Sequence, residues 1–84
     1  MTLLPNIIQR LRYTPVRQLI RGLERDGFTY RRTKGWGRLY RHSEGRRVVI
    51  HYHSSGDTLP MGTFSSVLRG ARWTQGDLER LGLI

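Results

Sequence analysis

The chain contains no cysteine, which excludes disulfides, thiolate metal centres and cysteine nucleophiles and leaves no redox signature of compartment. Acidic residues number only six, lysine occurs once, and no apolar run approaches the length of a bilayer span. Near the start, Leu3, Leu4, Ile7 and Ile8 are interrupted by Pro5, Asn6, Gln9 and Arg10. Neither a signal peptide nor a membrane segment is therefore expected, and the default expectation is an unprocessed cytoplasmic chain with no membrane partner. Repeats and low-complexity stretches are also missing. A length of 84 residues suits a single domain, 1–84, whose core is modest in size.

What the chain has in excess is arginine. Fourteen of its fifteen basic residues are Arg, and the formal net charge is +9. Seven cations, Arg31, Arg32, Lys34, Arg38, Arg41, Arg46 and Arg47, fall in one stretch against the single acid Glu44, a local net charge of +6. The planar guanidinium fork matches phosphate oxygens, so this concentration points to a polyanion, with nucleic acid first. The plainer alternative is a solvated strand face in an arginine-rich protein. A hydrophobic content of 37% with two tryptophans argues for a folded module rather than a charged tail.

Apolar residues at Val16, Leu19, Ile20 and Leu23 have the spacing of a helix with one buried face. With Thr14 as N-cap, Pro15 at the first helical position and Gly27 as terminator, a helix is predicted from about Pro15 to Asp26. Three runs rich in aromatic and β-branched residues follow, Phe28 to Lys34, Arg38 to His42 and Arg46 to His53. They are separated by glycine-containing breaks and read as an antiparallel meander. Alternation in the third run places Val48, Ile50 and Tyr52 on one face and Val49, His51 and His53 on the other. In the second run Leu39 and Tyr40 are both apolar, and the parity stays open.

Phe64, Val67, Leu68 and Ala71 predict a helix from about Met61 to Arg72, and Thr74 with Asp77 suggests a capped short helix from about Gln75 to Leu81. Trp73 is assigned to the core. Before Thr14, residues 1–13 form either a short docking helix or an arm. The order α-β-β-β-α defines an α+β fold, a three-stranded antiparallel sheet with helices packed on one face and the other face open, the shape of a double-stranded-RNA-binding domain.

Several separated signals share one resemblance. They are Leu23-Glu24-Arg25-Asp26-Gly27-Phe28, then Lys34-Gly35 with Tyr40-Arg41-His42, then Gly45-Arg46-Arg47-Val48-Val49-Ile50, and Gly62-Thr63-Phe64 with Val67-Leu68-Arg69. In this order and spacing the chain resembles, without a gap from about Thr14 to Leu81, the HicA family of toxins from bacterial toxin–antitoxin systems, which makes residues 14–84 the expected HicA-like domain. The resemblance implies an endoribonuclease that cuts messenger RNA without a metal or other cofactor and is neutralised by a HicB-type antitoxin. The family motif reads Lys/Arg-Gly-Ser-His ahead of the second strand, whereas this chain has Lys34-Gly35-Trp36-Gly37. Gly37 thus stands where the resemblance places the catalytic histidine.

Metal-free RNA cleavage needs a proton acceptor for the 2′-hydroxyl, a proton for the leaving oxygen and positive charge about the phosphate. Imidazole suits proton transfer near neutrality, which makes His42, His51 and His53 the possible substitutes. Each also has a structural or loop-side reading, and His51 with His53 and a third ligand has a reading as a zinc site. The RNA-binding set is Arg31, Arg32, Lys34, Trp36, Arg38, Tyr40 and Arg41. Trp36, flanked by glycines, is either a stacking platform for an unpaired base or an anchor for a protein partner. Two functions follow: a HicA-type ribonuclease, retained, altered or inactivated at Gly37, and a noncatalytic RNA-binding or antitoxin-binding module on the same scaffold.

Overall fold

The computed structural model describes residues 5–35 and 37–84. Its elements are α1 Pro5–Leu11, α2 Val16–Arg25, β1 Thr29–Lys34, β2 Gly37–Arg41, β3 Arg47–His51, α3 Met61–Ala71 and α4 Gln75–Arg80. The strands form one antiparallel sheet in the order β1-β2-β3, and the fold is the α+β arrangement expected from the sequence.

The periodic face of α2 is buried at Val16, Leu19 and Leu23, and it meets Phe64, Val67 and Leu68 of α3 in one apolar cluster with Tyr40, Val48 and Ile50 of the sheet. Tyr40 settles the parity of β2, because it and Val48 are paired and face inward while Leu39 pairs with Val49 on the opposite side. Ahead of Thr14 the docking helix is the alternative found, over Pro5–Leu11: Ile7 and Leu11 of α1 belong to the same core. Leu3 and Leu4 lie outside the described residues.

The N-terminus of α2 differs from the local expectation. Pro15 is the extended N-cap residue, and no side chain caps the helix. Instead the Val16 N–H donates to the Asp57 carbonyl at 2.8 Å and the Arg17 N–H to the Ser55 carbonyl at 2.9 Å, while Pro15 bridges Thr58. The polar loop after β3 therefore satisfies the free donors of the first turn, a tertiary contact that no local motif announces. At the other end Gly27, with φ of 99°, lets the Phe28 N–H return to the Leu23 carbonyl at 2.9 Å, as a helix-terminating glycine does.

Several boundaries are corrected. Strand β3 runs only from Arg47 to His51, so Arg46 and His53 lie outside it, and β2 begins at Gly37. Helix α3 ends at Ala71 with Arg72 left-handed. Helix α4 carries the Thr74/Asp77 capping box, in agreement with the sequence pattern. Helix α3 approaches β3 so closely at Gly70 that a Cβ there would stand 2.6 Å from the Arg47 carbonyl oxygen.

Candidate nucleic-acid interface

Strand pairing sorts the basic segment between two faces. Directly opposed residues of an antiparallel pair share a face, so Gly37 with His51, Leu39 with Val49, and Arg41 with Arg47 form the open side opposite the core. On β1, Lys34 pairs with Gly37, Arg32 with Leu39 and Thr29 with Arg41, with a register shift between Tyr30 and Arg32. That irregularity inserts Arg31 as an extra residue, and a bulge re-aims the side chains beside it. Arg31 borders a hollow with Thr29 and Arg41, and Arg32 borders a cleft with Leu39, Val49 and His51. Two consecutive arginines thereby serve the same face.

The open face carries Arg31, Arg32, Lys34, Arg41 and Arg47, all exposed. Among the described residues the ion pairs involve Arg46 and Arg80 with Asp26, Glu44 and Asp77, so none of these five cations is neutralised by a neighbouring acid. Such a surface attracts phosphate without the cost of first breaking an internal pair.

Not every residue of the expected binding set reaches this face. Tyr40 is 5% exposed and sits in the core, where burial pushes its phenol above the ordinary value; it offers no ring to a base. Arg38 shares the inward parity of Ile50, and its guanidinium lies 4.1 Å over the Tyr52 ring, at the core side of the sheet. Trp36 lies outside the described residues. Arg47 is absent from the expected set, although it has the parity of Val49 and His51, which alternation assigns to one face.

Arg46, counted within the +6 stretch, has a structural task. Its Nη1 donates to Asp26 Oδ2 at 2.8 Å and to the Ala71 carbonyl at 2.6 Å, and its Nη2 to Glu44 Oε1 at 2.8 Å. Asp26 also accepts from Trp73 Nε1 at 2.9 Å and from Arg80 Nη2 at 2.8 Å. Burial alone would raise the Asp26 carboxyl, but the hydrogen bonds from Arg80, Trp73 and Arg46 and the Arg46 charge outweigh it and hold the group below the usual carboxylate value. A hollow of about 610 Å³ borders this network, yet three acids face three arginines there, so it has little excess charge to offer an anion.

The three histidines are placed very differently. His42 Nε2–H donates to the Asp26 carbonyl at 2.7 Å, and His42 Nδ1 accepts the Glu44 N–H at 3.0 Å. Both nitrogens of this neutral tautomer are engaged in holding the β2–β3 turn against the end of α2. His53 follows the end of β3 and has an interaction of its own. His51 is exposed on the open face, and its ring lies against Gly37: a Cβ built on Gly37 would stand 2.8 Å from His51 Nε2 and 3.2 Å from Cε1. For the zinc reading, no group of three or more suitable ligands forms among the described residues.

A three-stranded sheet covered by helices on one side and presenting unpaired cations on the other defines a small basic α+β domain. The family of HicA toxins of bacterial toxin–antitoxin systems matches residues 16–73, most of the chain and all three strands, and the chain belongs to that family. No curated protein matches it at a significant level. The family carries with it a cognate antitoxin as partner. Among the described residues no helix is long and apolar enough to cross a membrane.

Proposed function

We propose that the chain is a toxin whose open sheet face binds messenger RNA in the cytoplasm and cleaves it without a metal, and that a HicB-type antitoxin silences it by covering that face. The observation carrying this reading is the set of five cations, Arg31, Arg32, Lys34, Arg41 and Arg47, exposed on one face with no acid paired to them. Phosphate attraction from such a surface is strong, and it falls with salt as counterions compete. The same cations stabilise the charge that builds on a phosphorane-like transition state.

The test is incubation of the purified chain with single-stranded RNA in the presence of chelator, with product ends identified. Cleavage that survives chelation supports the ribonuclease reading, and intact RNA refutes it. Gly37, standing where the family resemblance places a histidine, favours a second reading: a module that binds RNA or its antitoxin without cutting. That reading expects salt-sensitive RNA binding with no product, and salt-insensitive or undetectable binding counts against it.

A further inference from the structure

From the contact between His51 and Gly37, and resting on the ribonuclease reading, we infer that His51 is the proton-transfer group of this toxin, reaching from β3 across to the position that Gly37 leaves open on β2. The two residues are directly paired in register. Gly37 is buried although it belongs to the open face, and the atoms that a Cβ there would meet are those of His51 and Val49. A side chain at 37 would push the imidazole away, at 2.8 Å from Nε2, so the absence of one is what admits the ring.

The surroundings suit the chemistry. His51 borders a cleft of about 180 Å³ with Arg32, Lys34 and Arg47, and no acid lines it. The cations facing the imidazole therefore come from β1 and from β3 itself, while β2 contributes Gly37 and the apolar Leu39. His42 is unsuited to the role because carbonyl and amide groups already occupy both of its nitrogens.

In the step assigned to it, neutral His51 accepts the proton of a ribose 2′-hydroxyl. The 2′-oxygen forms a bond to the adjacent phosphorus as the bond from phosphorus to the 5′-oxygen breaks. The departing 5′-oxygen takes a proton from solvent water, and the imidazolium returns its proton to solvent, leaving a 2′,3′-cyclic phosphate and a 5′-hydroxyl. Arg32, Lys34 and Arg47 hold the phosphate and offset its growing charge.

The experiment compares the full chain with His51→Gln on a fluorophore-quencher single-stranded RNA, measuring cleavage rate against pH and affinity by anisotropy at fixed salt. His51 is exposed, so the substitution leaves the core intact, which circular dichroism checks. The expected result is a rate lower by about 10²- to 10⁴-fold, with Kd within about threefold and loss of the rise in rate with pH that general-base catalysis predicts for wild type. If His51→Gln cleaves nearly as fast, or keeps that rise, His51 is not the base and the ribonuclease reading stands without it. A loss of affinity matching the loss of rate makes His51 a binding contact and overturns the assignment. Wild-type chain that leaves the RNA intact overturns the ribonuclease reading itself, and this inference with it, whereas cleavage that yields neither a 2′,3′-cyclic phosphate nor its hydrolysis product overturns only the role given to His51.

Discussion

Replacing Asp26 by asparagine tests how the domain is held together behind its binding face. The carboxylate is 7% exposed and Arg46 12%, so the substitution keeps the shape but leaves a nearly buried guanidinium with only the exposed Glu44 as counter-charge. One of the two oxygens becomes an amide donor facing Arg80, or else Arg46 and Trp73, and at least one hydrogen bond turns into a clash of donors. Breaking a buried pair by removing one partner costs about 3–5 kcal/mol, against a total stability of roughly 5–15 kcal/mol for a small domain. At the lower figure the melting temperature falls by about 12–24 °C.

The pH dependence supplies a sign that a packing defect lacks. Because the folded pKa of Asp26 is lowered from 3.8, its contribution is fully present above the unfolded value and is lost as pH falls through the folded one. Urea denaturation at neutral pH and at two acidic values either side of the ordinary carboxylate range, followed by circular dichroism, should show the gap between wild type and Asp26→Asn narrowing as the medium becomes acidic. A variant within about 1 kcal/mol of wild type at neutral pH, or a gap independent of pH, refutes the role given to this network.

Arg47→Ala should weaken RNA binding and shallow its salt dependence, by about 0.7 in the slope of log affinity against log salt for each single-strand phosphate that the arginine neutralises. An unchanged slope in a salt titration would remove Arg47 from the face. Gly70→Ala should destabilise by about 1–3 kcal/mol, since the added methyl meets a backbone carbonyl that cannot rotate aside, and a chemical melt reads it directly.

Much of the fold is visible in the sequence because local rules agree with one another. The apolar spacing of α2 and α3, the glycine ending α2, the capping box of α4 and the alternation of β3 each depend on residues a few positions apart, and each is found in the structure. Details that the sequence misplaced or left open depend on distant partners. The start of α2 is capped by the loop carrying Ser55 and Asp57, and the orientation of β2 follows from which of two neighbouring apolar residues the helices can bury.

The candidate site divides along the same line. Charge density between Arg31 and Arg47 is a property of composition, and composition is enough to mark this segment as a binding element. It cannot separate a cation aimed at solvent from one spent internally. Only strand register and the bulge between Tyr30 and Arg32 gather Arg31, Arg32, Lys34, Arg41 and Arg47 on one face, while the tertiary fold gives Arg46 to Asp26 and Arg38 to Tyr52.

By itself the sequence determined the order of elements from α2 onward, the basic character of the hairpin, the resemblance to a toxin family and the glycine at position 37. The tertiary structure alone decided that His51 lies over that glycine. The reason is geometric: the pairing of Gly37 with His51 is set by register between two separate strands, and register follows from which side chains the helices bury.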